Sequence, residues 1–325
     1  MFEWLDPALS VGGLLAGLLV GLTGMGGAAL VTPMLVLLFG VPATAAVSSD
    51  LVASAVMKPV GAAVHAKHGT VHWRLVWWLS AGSIPGVLVG TWAFAKVVAG
   101  TEAESVIRTW IGVVLLLAVA AMLARAWVSA RARRKNGPPE LHGPHAPVKV
   151  VRTVLLGLVV GVLVGMTSVG SGSLVITTLL LLYPLLRPSV LVGTDLAQAV
   201  PMLAVGAIAH AGLGDVDWAV TASLLIGQIP GVWLGARMSS RYDGHALRWL
   251  LMVVLAATAL KLLGAPAIVA TAVALGGLVV VGVAVARERL AARRSDDGPG
   301  SPEKNDIHGE LAAAAEPGPE AARVS

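Results

Sequence analysis

The sequence predicts an all-α polytopic membrane protein built from two inverted repeats. Each repeat is read as a broken or re-entrant helical segment plus about three transmembrane helices. One extra span follows near the C-terminal end, giving about 8–9 hydrophobic segments. Three observations lead there. The 325 residues are 56% hydrophobic and 13% charged, with mean hydropathy +0.82, against about 25% charge in an ordinary soluble domain. The chain resembles itself at an offset near 145 residues. Its Lys and Arg residues gather in alternate loops.

The elements follow in order. Leu9 to Phe39 is one apolar run, interrupted at Gly17-Leu-Leu-Val-Gly21-Leu-Thr23-Gly24-Met25-Gly26-Gly27. Each Gly costs roughly 1 kcal/mol against Ala inside a helix, so five in this stretch predict a deliberate break. Pro42 opens a helix to about Val64, and His65–His72 is a polar loop. Trp73 to about Phe94 spans next, with Trp73, Trp77 and Trp78 placed as an interfacial belt. Ile107 to about Val128 spans again. Arg131, Arg133, Arg134 and Lys135 then start a basic, Pro/Gly-rich linker. The second half opens with a broken segment, Thr153 to Leu186. Spans near Ser189–Ala209, Trp218–Met238 and Ala246–Leu263 follow, and Ala267–Ala286 is the extra one.

This gives a first repeat at 8–128, a linker at 129–150, a second repeat at 151–263, the extra helix at 267–286 and a tail at 287–325. The tail is Pro/Gly/Ala/Glu-rich and is expected to be disordered. The start, Met1-Phe-Glu-Trp-Leu-Asp, has no basic region ahead of an apolar one, so no removed signal peptide is expected.

The duplication is read residue by residue. Ser49-Asp50-Leu51 matches Thr194-Asp195-Leu196. Met57, Gly61, His65 and Gly69 match Met202, Gly206, His210 and Gly214. Gly82-Ser-Ile-Pro85-Gly86 matches Gly227-Gln-Ile-Pro230-Gly231, and Gly90 matches Gly235. The glycine-rich break returns at Gly161-Val-Leu-Val-Gly165-Met-Thr167-Ser168-Val-Gly170-Ser171-Gly172.

The basic linker and tail are expected on the cytoplasmic side. Counting spans back from them puts the His210–Asp217 loop, which has no Lys or Arg, outside. The matching His65–Arg74 loop, with Lys67, falls inside. The repeats are therefore read as inverted, and the Thr153–Leu186 segment starts and ends on one side.

Paired breaks in inverted repeats point to a secondary transporter with its substrate where the breaks meet. Unwound backbone at membrane depth is tolerated where it lines a cavity or is buried in protein. A half-helix starting there aims free N–H groups and a positive dipole end inward, which suits an anion. The candidate substrate-binding residues are Thr23, Gly24, Gly26, Gly27, Lys58, Thr167, Ser168, Gly170 and Ser171. Lys58 lies mid-span, where a charge is costly and usually functional. It would offer countercharge to an anion; pairing with an acid on a neighbouring helix, or snorkelling, is the other reading.

Asp50 and Asp195 lie about 10 Å into their spans. They are read as proton relays or holders of a Lys or a cation, or alternatively as caps of re-started helices, since Ser48-Ser49-Asp50 and Gly193-Thr194-Asp195 both resemble caps. His65 and His210 end matching spans. They would serve pH-dependent coupling or stand as interfacial residues. Ser83 and Gln228 are weaker candidates to face the pathway, and the Pro-Gly pairs beside them are read as kinks or thin, close-packed places.

The repeated Gly-xxx-Gly-x-Thr-Gly/Ser start, the Ser/Thr-Asp-Leu pair and the Ile-Pro-Gly-xxx-Gly pair resemble the sulfite exporter TauE/SafE family of membrane transporters over roughly residues 8–263. That resemblance implies a bacterial inner-membrane permease with two repeats, whose relatives export or import sulfite, organosulfonates or small organic anions. The chain departs from the family pattern twice. Met57-Lys58 keeps the Lys of a Thr-Lys pair without the Thr. Gln198 stands three residues after Asp195, where a His is frequent, which weakens a proton relay at that point.

The expected function is a permease moving a small anion by alternating access, coupled to protons. A passive anion channel, a scaffold and an intramembrane enzyme are the alternatives. No Cys is present and no His-Glu-x-x-His occurs, so the sequence offers neither thiol nor zincin chemistry, and no cofactor or metal is expected. The partners expected are a small anionic substrate and the bilayer, with no nucleic acid; homo-oligomerisation stays open.

Overall fold

A computed structural model describes residues 5–23, 28–136, 147–238, 245–279 and 282. Among them there are eleven helices and no strand. They are α1 (Pro7–Thr23), α2 (Ala28–Leu37), α3 (Ala43–Lys67), α4 (Trp73–Val98), α5 (Ala103–Asn136), α6 (Val150–Thr167), α7 (Ser173–Leu182), α8 (Pro188–Leu213), α9 (Trp218–Met238), α10 (His245–Leu262) and α11 (Ala267–Val279). Six helices are long and apolar enough to cross a membrane. Their outer faces stay apolar in the folded chain: Trp77, Trp92, Val151 and Ile208 are all exposed. Such a surface needs lipid around it.

The boundaries follow local chemistry. Pro42 precedes α3 and Pro188 is the first residue of α8, where a missing N–H costs nothing. His72 caps α4 by accepting from the Leu75 N–H at 3.3 Å. Gly69 and Gly214, matched residues of the two halves, follow α3 and α8 at φ +64° and +82°. Glycine ends a helix in this left-handed region at no steric cost. Helix α5 runs past the span expected to end near Val128. The first residues of the linker therefore continue it to Asn136, and 137–146 lie outside the described residues, as does the whole tail at 287–325.

Glycine sets the two closest helix pairs. A Cβ on Gly82, Gly86 or Gly90 of α4 would lie 2.0, 2.4 and 2.2 Å from the carbonyl oxygens of Val154, Leu158 and Val162 on α6. From α6, Gly157, Gly161 and Gly165 press equally on Leu79, Ser83 and Val87. The other half repeats this between α9 (Gly227, Gly231, Gly235) and α1 (Gly13, Gly17, Gly21). Small residues four apart let backbones touch where helices associate in lipid.

These contacts correct one expectation. Gly17, Gly21, Gly161 and Gly165 are not part of a break. They sit inside continuous helices and are small because another helix lies against them. The partners are also exchanged: each half's opening helix packs on the Pro-Gly helix of the other half.

The rising registers make α1 parallel to α9, and α6 parallel to α4. Helices α3 and α8 run antiparallel, with Gly61 against Leu196 and Leu51 against Gly206. Their ends are tied reciprocally. Ser49 Oγ accepts from the Asp217 N–H at 2.9 Å, and Thr194 Oγ1 accepts from the His72 N–H at 3.0 Å.

Helices α6 and α7 form a hairpin. Just after α7, the Tyr183 hydroxyl returns to the start of α6, bonding the Lys149 N–H at 2.8 Å and Thr153 Oγ1 at 2.7 Å. In the first half Gly12, near the start of α1, lies against Met34 and Phe39 at the end of α2.

Candidate functional site

The break between α6 and α7 carries the site. Its backbone leaves helical geometry at Ser168 (φ +57°), Gly170 (φ +118°) and Gly172 (φ +113°). Glycine tolerates these values; for Ser168 the conformation is strained and is held by packing. Ser168 and Ser171 are wholly buried.

Among the described residues this one segment meets the buried Asp50, Lys58 and Asp195. Ser168 Oγ donates to Asp50 Oδ2 at 3.1 Å, and Lys58 Nζ donates to Ser171 Oγ at 2.8 Å. Asp195 lies by the Gly172 N–H that opens α7. Asp50, Lys58 and Asp195 have no solvent exposure. The Lys58 ammonium acts electrostatically on both carboxylates but forms no contact ion pair with either.

Lys58 is eight residues after Asp50 on α3, or about 12 Å along the axis. On α8, Asp195 is one residue before Leu196, which packs against Gly61. The Lys58 backbone is therefore closer in depth to Asp195 than to Asp50, and Asp195 acts on the ammonium more strongly than Asp50 does. A snorkelling lysine is excluded by its burial and its bond to Ser171.

Asp50 and Asp195 cap no helix. Both lie inside unbroken helices, α3 and α8. Their caplike neighbours are used elsewhere: Ser49 and Thr194 hold the far ends of the opposing long helices. Asp50 receives three hydroxyls, from Thr32 at 2.5 Å, Ser168 at 3.1 Å and Ser54 at 3.4 Å. For Asp195, Gln198 and the Gly172 N–H are the neighbouring donors, but neither carboxylate oxygen is met at hydrogen-bonding geometry.

Thr32 and Ser54 were not singled out from sequence. Thr32 had a signal, because Thr177 occupies the matching place in α7. Thr167, another sequence candidate, is buried and turns its hydroxyl to the Leu163 carbonyl at 2.7 Å, closing the end of α6. The Thr23 side chain and Gly24, Gly26 and Gly27 lie outside the described residues.

His65 and His210 are buried inside the protein. His210 Nε2 faces the Gly165 carbonyl at 2.9 Å, which makes it the donor there. Nδ1 then accepts from Ser48 Oγ at 2.9 Å. The ring also stacks on Phe94, with centroids 4.6 Å apart. This doubly bonded imidazole fastens α8 to α3, α4 and α6. His65 Nδ1 bonds Thr70 Oγ1 at 2.9 Å within its own helix end. Ser83 Oγ donates to Gln198 Oε1 at 3.3 Å, and Gln228 is fully buried on α9.

Apolar helices around a buried polar centre at a broken helix define a multi-pass membrane transporter. The family model described as Sulfite exporter TauE/SafE matches residues 9–262, and the chain belongs to that family. It is 36% identical over 257 residues to the Probable membrane transporter protein YjnA of Bacillus subtilis, covering 77% of this chain and 97% of that one. It is 26% identical to YdhB of the same organism, named a probable membrane transporter protein, over 70% of this chain and 87% of the relative. A third Bacillus subtilis relative with that description, YunE, is also 26% identical, over 71% and 86%. No solved structure matches.

Proposed function

We propose that this protein is a proton-coupled secondary transporter of a small anion, such as sulfite, an organosulfonate or a small organic acid, working by alternating access in the bacterial inner membrane. The carrying observation is the contact of the Ser168–Gly172 break with Asp50, Lys58 and Asp195, all buried. Lys58, Ser171 and the free N–H groups opening α7 are donors suited to an oxyanion.

Charge decides the coupling. With all three groups ionised the site carries one net negative charge and repels an anion. One like charge about 6 Å away costs roughly 3 kcal/mol at an effective dielectric of 20, close to a hundredfold in affinity. Protonating one carboxylate removes that cost, so proton and anion bind together.

Two inverted repeats fit this function. The reciprocal bonds Ser49–Asp217 and Thr194–His72 favour matching helices that run oppositely. The closure of α7 on the start of α6 favours a re-entrant hairpin. With the basic linker and tail in the cytoplasm, the two breaks would face one another near the bilayer midplane, and rocking of the repeats would open the site to each side in turn.

The test is counterflow and uphill uptake by purified protein in liposomes. The probes are sulfite, thiosulfate, sulfoacetate, taurine and small carboxylates, with and without a pH gradient. One anion should accumulate when the gradient is imposed, and Lys58→Met should abolish its flux. Flux of no probe, or flux unchanged by Lys58→Met in folded protein, refutes this reading.

A further inference from the structure

The repeats place Asp50 and Asp195 at matching positions, yet their surroundings differ. Asp50 accepts three hydroxyl hydrogen bonds, from Thr32, Ser54 and Ser168. A carboxylate held in this way is satisfied as an anion. Asp195 has neither oxygen in a hydrogen bond. Ser54 is replaced by Ala199 at the corresponding place in α8. The Thr177 hydroxyl, counterpart of the Thr32 hydroxyl that grips Asp50, is buried and unpartnered. Gln198 Nε2, one turn after Asp195, is likewise buried and unpartnered.

Unsatisfied buried polar atoms are rare in folded proteins and call for an explanation. For Asp195 the explanation is protonation: a buried carboxylate that no donor meets is costly as an anion, and a proton on one oxygen removes that charge.

We propose that the two aspartates have separate tasks: Asp195 takes and releases the coupling proton, while Asp50 stays an anchored anion that holds the break against α3. This rests on the proton-coupled reading above and names the group that carries it. In the unloaded state ionised Asp195 lies by Lys58 and the Gly172 N–H, the donors an anionic substrate needs. A proton arriving from water adds to one Asp195 oxygen, and Lys58 and the α7 N-terminus are released to the anion. Loss of the proton on the other side returns the carboxylate and expels the anion.

The titratable groups facing Asp195 are few. From α3 they are Lys58, with Asp50 acting on the same ammonium. His65 packs against Gly193 two residues away, its Nδ1 engaged by Thr70. Helix α7 contains no titratable residue, and those of α4, Arg74 and Lys96, lie in its end turns. Gln198, one turn after Asp195, accepts from Ser83 Oγ at 3.3 Å, and Ser80 lies one turn earlier than Ser83 on α4. Ser80 lines a cleft of about 530 Å³ between α3, α4 and α8.

Two measurements test the division. In liposomes Asp195→Asn should lose accumulation driven by a pH gradient and leave whatever anion exchange remains independent of pH. Asp50→Asn should lower both together. The second measurement needs no substrate: the infrared C=O band of a protonated carboxylic acid, followed against pH in purified protein. That band should vanish in Asp195→Asn and persist in Asp50→Asn. Gln198→Leu should shift its titration midpoint, and Thr32→Val should not. A band lost with Asp50 instead, or gradient-driven accumulation surviving in Asp195→Asn, overturns the assignment. If no probe anion moves in wild type but the band follows Asp195, the proton site stands and the transport reading fails.

Discussion

Gly82→Ala and its counterpart Gly227→Ala should be among the most damaging single-methyl changes in this chain. The new Cβ at Gly82 would lie 2.0 Å from the Val154 carbonyl oxygen, and that at Gly227 would lie 1.8 Å from the Ser10 oxygen. Ordinary contact begins near 3.4 Å, so α4 and α6, or α9 and α1, must separate by about 1.5 Å. The atoms in the way are backbone, and no rotamer change relieves them. Overpacking of this kind costs about 1–3 kcal/mol, and the gap forfeits dispersion along the whole seam. Helix propensity works the other way by up to about 1 kcal/mol.

Gly212→Ala is the control. Gly212 is helical and exposed, and nothing lies within 4 Å of its added Cβ, so this change should be neutral or stabilising. Thermal unfolding in detergent, followed by tryptophan emission, separates the cases. Gly82→Ala and Gly227→Ala should melt well below wild type and Gly212→Ala at or above it. Flux should fall with Gly82→Ala, because α6 carries Ser168 to Asp50. If all three variants melt alike, the glycine seams do not hold the bundle as described.

Other outcomes follow from the same geometry. Tyr183→Phe removes the hydroxyl that closes α7 on α6 and strands the Lys149 N–H; a loss of about 1–3 kcal/mol is expected, and an unchanged melting curve would refute the closure. Cysteines placed at His68 and Gly212 should react with impermeant thiol reagents from opposite faces of the membrane; same-side labelling would end the inverted arrangement. Beyond the end of α8, burial pushes the Asp215 carboxyl above its ordinary value. The folded chain therefore holds that proton more tightly than the unfolded chain, and stability falls as pH rises through the carboxylate range. Asp215→Asn should remove that part of the pH dependence, as melting across the acid range would reveal.

The sequence by itself determined the membrane class, the duplication and the place of the second break. Each is written in local pattern: apolar length, repeated motifs, and Thr167 to Gly172 too rich in small residues to stay helical. The glycine seams were legible too, because Gly82, Gly86 and Gly90, like Gly157, Gly161 and Gly165, recur every fourth residue. At Gly161 and Gly165, taken with the break beside them, that spacing passed for interruption; four-residue periodicity keeps small residues on one face of an intact helix and signals a partner.

Only the tertiary structure decided which partner it was, and that the two halves exchange their opening helices. It also withdrew the caps from Asp50 and Asp195 and buried His65 and His210. Most of all, it separated two aspartates whose immediate sequence contexts are nearly the same. Asp50 differs from Asp195 through Ser54, one turn along its own helix, and through Thr32 and Ser168, which are remote in the chain and near in space. The cost of a buried charge is set by the donors that surround it, and chain order does not list them.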